Sequence, residues 1–228
     1  MNIKLKEKIK SFISYRSIHK QIADELKDIL SFYGIKSFLA PDDIILSEEW
    51  QNRILDELWN ADFVICILSE EYNQSAYCLQ ETGIALILNK PIIPLSLDNT
   101  ISPGFISKYQ SKRISEKNIS IIDIIPGLVK INKNIGIEII FEIISNSSSW
   151  KSADRNFKLI IQYLSKLNKS QANKLLNIVL TNDEILGAGK CRTDYLPVFI
   201  QQCSTKLPDD KIKKLHNIIK PSRRKKNV

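Results

Sequence analysis

The chain has 228 residues, 43% hydrophobic and 25% charged, the make-up of an ordinary globular protein long enough for one large or two small domains. No apolar run approaches the roughly 20 residues that cross a bilayer, and the first ten residues, carrying Lys4, Lys6, Lys8 and Lys10, lack the apolar stretch of a signal peptide; a cytoplasmic location and no membrane partner are expected. The net charge of +8 divides unevenly: residues 1–144 carry 16 Lys and Arg against 19 Asp and Glu (net −3), residues 145–228 carry 17 against 6 (net +11), and the polar run from Ser145 to Ser149 marks the boundary between two expected domains.

In the acidic part, Ile9 to Tyr15 reads as a short strand. An amphipathic helix follows, with Ile22, Ala23, Leu26, Ile29, Leu30 and Tyr33 at three- and four-residue spacing. Gly34 stands where a left-handed C-terminal cap belongs, and Ile35 to Leu39 reads as a second strand. A helix from Glu48 to Trp59 leads into the apolar run Phe63 to Leu68, short enough for a strand buried on both faces. A further helix from Tyr77 to Leu88 leads into a strand over Pro91 to Leu95. Strands alternating with helices at short connections predict an α/β fold with a parallel, doubly wound sheet. Ligands of such sheets bind beyond the carboxyl ends of the strands, where Tyr15 to Ser17, the loop Ala40 to Ser47 and the segment Ser69 to Glu81 fall.

Within the last segment, Tyr77 and Glu81 lie one helical turn apart and share a helix face. A ring that stacks on a flat base beside a carboxylate that reaches a ribose suits a nucleotide. The plainer alternative is a helix that buries Tyr77 and Leu79 and exposes Glu81. Metal chemistry has little to build on. Asp42 and Asp43 have no third ligand nearby, and Cys66, Cys78, Cys191 and Cys203 form no CxxC pair, which points to reduced, buried thiols. His19 and His216 give poor support for Cys-His or Ser-His catalysis.

Three boxes occur in order: Phe12-Ile13-Ser14-Tyr15-Arg16; Ala40-Pro41-Asp42-Asp43-Ile44 closing with Ser47-Glu48-Glu49-Trp50; and Cys78-Leu79-Gln80-Glu81. With Gly83-Ile84-Ala85 and Pro103-Gly104-Phe105-Ile106, they resemble the successive boxes of a bacterial TIR domain over roughly residues 8 to 144. The resemblance implies a flavodoxin-like fold and one of two functions, an assembly adaptor or an enzyme that cleaves NAD+ at the nicotinamide–ribose bond. It implies Glu81 as the catalytic carboxylate, and Tyr15, Arg16, Ser17, Asp42, Trp50 and Tyr77 as substrate-binding residues. Pro41, Asp43, Ile44, Ile45 and Leu46 are implied as a self-association loop, whose apolar tip is poorly suited to water. Plainer roles stay open beside these: Arg16 as the solvated end of a strand, Asp42 as a turn residue and Trp50 as a core aromatic.

The basic part reads as helical. Phe157, Ile160, Ile161, Leu164 and Leu167 form one apolar stripe, Leu175, Leu176, Val179 and Leu180 a second, and Ile212, Leu215, Ile218 and Ile219 a third beyond Pro208. Gly187-Ala188-Gly189-Lys190 has the look of a phosphate loop. However, Glu184 replaces the upstream glycine and Cys191 the Ser or Thr, so a turn is expected. Arg223 to Lys226 form a basic tail that leaves nucleic-acid contact open. The whole sequence is thus expected to encode a small TIR enzyme with NAD+ as substrate and no cofactor. By resemblance to the TIR component of Thoeris-type antiphage systems, its ADP-ribose-derived product would act on a separate effector. A non-enzymatic adaptor and a mimic that binds host TIR domains are the alternatives.

Overall fold

The computed structural model describes residues 9–40, 48–97, 100–115 and 117–219. Two compact units make up the chain, Met1–Ile135 and Gly136–Val228. In the first, β1 (Ile9–Ser14), β2 (Ile35–Leu39), β3 (Phe63–Leu68), β4 (Ile92–Ser96) and β5 (Lys112–Arg113) form an all-parallel sheet in the order β2-β1-β3-β4-β5. This is the flavodoxin-like order, and its switch point lies between β1 and β3. Their register sets Ile13 against Ile65 and Ser14 against Cys66, so β3 runs two residues, Ile67 and Leu68, past the end of β1.

The helices are α1 (Lys20–Phe32), α2 (Glu48–Asn60), α3 (Glu70–Gln74), α4 (Ala76–Ile87) and α5 (Ile121–Ile131). β3 is buried at all six positions because helices cover both sides of the sheet. On one side, Phe12, Val64, Cys66, Leu68 and Ile92 pack with Ile54 and Leu58 of α2, Tyr72 of α3, and Cys78 and Ala85 of α4. Each Val, Leu, Ile or Phe among them contributes about 1.5–3 kcal/mol when fully buried. On the other side, α5 closes on β4 at Gly127, where a Cβ atom would stand 2.6 Å from Ile93 Cδ1. Gly34 terminates α1 at φ 79°, its N–H donating to the Ser31 carbonyl at 2.9 Å, as the sequence predicts.

The short elements α3 and β5 have no periodic pattern long enough to be read from sequence. β4 begins at Ile92 because Pro91 has no N–H for the ladder.

In the second unit the helices are α6 (Lys133–Ser145), whose first residues precede the division, α7 (Trp150–Ile161), α8 (Lys169–Thr181), α9 (Asp183–Gly187), α10 (Leu196–Cys203) and α11 (Asp209–Ile219). Phe157, Ile160, Leu164, Leu175, Leu176, Val179, Phe199 and Leu215 are buried, so each predicted stripe supplies core. The serine run stops one helix and starts the next: α6 ends at Ser145, and Ser149 Oγ accepts the Ser152 N–H at 3.2 Å as the N-cap of α7. Gly187 to Lys190 is no phosphate cradle. Asp154 accepts the N–H groups of Lys190 at 3.3 Å and Cys191 at 2.8 Å, putting a carboxylate where an anion would need those amides. Among the described residues no helix is long and apolar enough to cross a membrane.

Candidate functional site

The site grows from the register of two strands and the face of one helix. Ser75 caps α4, its Oγ accepting the Cys78 N–H at 3.3 Å, and the helix then buries Cys78, Glu81, Thr82 and Ala85. These sit at three- and four-residue spacing, and Cys78, Thr82 and Ala85 are small enough to let α4 lie close on the sheet. Tyr77 and Leu79 consequently face solvent, at 44% and 39% exposure, while Glu81 is 6% exposed. The plainer alternative from sequence is therefore reversed: the carboxylate is inside and the large apolar residues outside.

A carboxylate out of water needs hydrogen bonds. Ser14, the last residue of β1, supplies one, its hydroxyl lying 2.5 Å from Glu81 Oε2. That short distance is typical of a bond strengthened by charge. Ser14 Oγ is in turn 2.9 Å from the Tyr72 hydroxyl, which is 2.8 Å from Thr82 Oγ1, and Thr82 Oγ1 donates to the Cys78 carbonyl at 2.9 Å. Cys66, level with Ser14 on β3, has its thiol 3.9 Å from Thr82 Oγ1. Burial pushes the Cys66 thiol up to about 11 and the Tyr72 phenol well above its ordinary value. Both stay protonated throughout the range in which a carboxyl titrates.

The other predicted site residues occupy varied positions. Tyr15 is buried at 3% exposure, and its carbonyl accepts the Cys78 thiol at 3.6 Å. Arg16 and Ser17 are half-buried at the start of a 3-10 turn, Ser17–His19, beyond β1. His19 Nε2 there lies 3.6 Å from Glu71, whose carboxyl is held below its ordinary value chiefly by a hydrogen bond from Ser69. Trp50 of α2 packs against the core, 6.2 Å from Phe38 and with the Arg53 guanidinium 5.3 Å above its ring. Asp42, Pro41, Asp43, Ile44, Ile45 and Leu46 lie outside the described residues.

The strand ends thus bring Glu81 together with Ser14, Tyr72 and Thr82, three hydroxyls that sequence reasoning passes over. Their signal was present in part. Ser14 is the polar end of an apolar strand, and Thr82 adjoins Glu81 on a helix side otherwise apolar; Tyr72 is placed by the fold alone. No group of three or more His, Cys, Asp or Glu side chains placed to hold a metal occurs among the described residues.

Residues 12–123 match the family model of the TIR domain. The chain carries a TIR domain. Glu81, Ser14, Tyr72 and Thr82 all lie within the matched residues. Among solved structures, the chain is similar to the TIR domain of the Toll-related receptor TRR-2 from Hydra magnipapillata. The two are 22% identical, the likeness covers 55% of this chain and 96% of that one, and the TM-score is 0.42. No curated protein matches the chain.

Proposed function

We propose that the TIR domain cleaves NAD+ between nicotinamide and ribose, with Glu81 as the carboxylate that stabilises the reacting sugar. The observation that carries this reading is the placement of Glu81: on α4, nearly out of water, hydrogen-bonded by Ser14 beside the switch point of a parallel sheet. The chemistry asks little more. Nicotinamide departs from a pyridinium as a neutral molecule, taking the electron pair of the C–N bond, so no acid is required on the leaving group. The ribosyl centre gains positive charge in the transition state, and a fixed carboxylate opposes that charge most strongly where water is excluded.

Tyr77, four residues before Glu81 and exposed, is available to stack on a flat ring of the substrate. Arg16, Ser17, Asp42 and Trp50 are proposed as further contacts to the dinucleotide. Incubating the full chain with NAD+ and resolving products by chromatography and mass spectrometry tests the reading. Release of nicotinamide with an ADP-ribose product supports it, and intact NAD+ across protein concentrations refutes it. Whether water, the adenine of the same molecule or another nucleophile captures the ribosyl group appears in the same experiment. A role for the product as an antiphage signal, acting on a separate effector in the cytoplasm, rests on the sequence resemblance.

Assembly without catalysis is the second reading, favoured by Ile101 and Phe105. These follow β4 and are 79% and 85% exposed, large apolar side chains that a partner would cover. The NAD+ experiment separates the two.

A further inference from the structure

β4 has a strand on each side for part of its length only. Val64 N–H donates to the Pro91 carbonyl at 2.9 Å, and Ile114 N–H donates to the Ser96 carbonyl at 2.8 Å. Backbone groups alternate in direction along a strand, so those of Pro91, Ile93 and Leu95 face β3, and those of Ile92, Pro94 and Ser96 face the opposite edge. On that edge β5 is two residues long and pairs with Leu95 and Ser96 alone. The N–H and C=O of Ile92 therefore point out beyond the reach of β5 and have no partner among the described residues, although Ile92 is 7% exposed. Nearly buried backbone groups left in this way are rare in folded proteins.

The two groups open into a cavity of about 560 Å³, the size of a small-ligand site. Ile92, Ile93 and Pro94 form its back. Tyr109 packs on the side of the sheet that Ile92 faces, and Gly127 of α5 meets Ile93 on the other, so the cavity lies between a ring and a helix. Its charged lining is Lys108, Lys112 and Lys130 against Asp123 alone. Asp123 is already engaged, 3.7 Å from Lys112 Nζ and accepting the Ser120 N–H at 3.1 Å. Lys108, with its Nζ 5.3 Å from the centre of the Tyr109 ring, and Lys130 form no ion pair among the described residues. The cavity thus offers a donor beside an acceptor, an aromatic wall and two cations.

We propose that it binds an adenine nucleotide of the size of AMP. The base presents its amino group to the Ile92 carbonyl and a ring nitrogen to the Ile92 N–H, its face lies along Tyr109, and the phosphate reaches Lys108 and Lys130. A peptide strand is a poorer occupant, because Pro94 has no N–H and the edge gives one donor instead of the repeating row that strand addition requires. The cavity is separate from the NAD+ site proposed above: Ile92 begins β4, whereas Ser14 and Glu81 meet at the carboxyl end of the parallel β1.

Calorimetric titration of the full chain with AMP, adenosine and inorganic phosphate tests the proposal, with amide NMR reporting on Ile92. AMP should bind, with adenosine and phosphate each about tenfold or more weaker. Lys108→Gln and Lys130→Gln, at exposed positions that leave the fold intact, should each weaken AMP about three- to tenfold and leave adenosine unchanged. Tyr109→Leu should weaken AMP and adenosine alike, and Glu81→Gln should weaken neither. The Ile92 amide proton should move downfield with AMP or adenosine and stay in place with phosphate.

No binding at millimolar AMP, equal affinities for AMP and adenosine, or lysine variants that bind AMP like wild type would each overturn the site. So would AMP affinity lost in Glu81→Gln, which would put the nucleotide at the carboxyl end of the sheet, or an Ile92 amide that responds to protein concentration and not to AMP, which would put a second copy of the chain in the cavity.

Discussion

Ser14 and Glu81 are 67 positions apart in sequence, and the Ser14 hydroxyl lies 2.5 Å from Glu81 Oε2. The contact ties the end of β1 to the middle of α4 and holds the carboxylate at the carboxyl end of an interior strand.

Glu81→Gln should therefore keep the fold and lose the chemistry. The amide matches the carboxylate in size, and its oxygen still accepts from Ser14, but it brings no charge against the developing cation. A fall in NAD+ cleavage on the order of 100-fold or more is expected for an electrostatic group of this kind. Turnover and thermal unfolding measured on the same preparation check it. A folded variant that cleaves NAD+ at the wild-type rate excludes the assigned role.

Tyr77→Ala should be inexpensive to the fold, because the ring is 44% exposed and substitutions at such positions cost about 1 kcal/mol or less. Its effect on substrate use should be much larger, since the ring is proposed to stack on the substrate. Tyr77→Trp offers a wider face and should retain activity. Steady-state kinetics on the two variants decide the matter: equal losses for alanine and tryptophan show that stacking is the wrong explanation.

What could be read from sequence follows from what sequence periodicity records. The alternation of apolar runs and helical stripes, with Gly34 as a stop, gives β1 to β4, α1, α2, α4 and the parallel sheet, because each of these is long enough to repeat, whereas β5, α5 and α6 are not read from it. The orientation of α4 is less legible: Tyr77 and Leu79 are the more apolar residues, yet Cys78, Thr82 and Ala85 face the sheet because only small side chains fit there. Glu81 is buried with them, on hydroxyls contributed by β1 and α3, and a tertiary hydrogen bond leaves no local pattern. In the basic part α10 went unread, since Pro197 at its start and the π turn Cys191–Tyr195 before it interrupt the helical period.

Gly127→Ala should destabilise the TIR domain even though alanine is the better helix former. A Cβ at this position would meet Ile93 Cδ1 at 2.6 Å and Cγ1 at 2.8 Å, so α5 or the isoleucine must shift. Overpacking of this kind costs about 1–3 kcal/mol, more than the roughly 1 kcal/mol that helix propensity returns. Denaturant unfolding should show a net loss, and the loss should be smaller when Gly127→Ala is made in an Ile93→Ala background. A variant as stable as wild type would mean that the β4–α5 spacing is not set by this contact.

Ile45→Glu tests self-association, argued from the sequence of the loop that follows Ala40. An apolar triplet, Ile44-Ile45-Leu46, after two acidic residues suits a contact with a second copy of the chain, and a charge within such a contact would be unpaired. The expected outcome is a monomer with wild-type unfolding behaviour and reduced NAD+ turnover. Light scattering and activity across protein concentration measure both. Specific activity that stays flat from dilute to concentrated wild-type protein, in a monodisperse monomer, removes assembly from the mechanism.

Alkaline pH should loosen the domain from within, through Cys66. Its thiol is fully buried in the sheet, and burial raises it from an ordinary value of 9.0 to about 11. Below pH 9 the thiol is protonated in folded and unfolded chains alike, so the stability tied to the neutral thiol is fully present. As pH rises from 9 toward 11 the unfolded chain releases a proton that the folded chain retains, and stability falls through that window. Tyr72, raised well above its ordinary 10.0 by burial, adds to the fall from about pH 10 upward. Cys66→Ala removes the first contribution, so its stability, although lower overall, should decline less steeply between pH 9 and 11. Urea unfolding at a series of pH values, followed by circular dichroism, gives both slopes. Parallel curves for the two proteins would show that Cys66 exchanges no proton on unfolding.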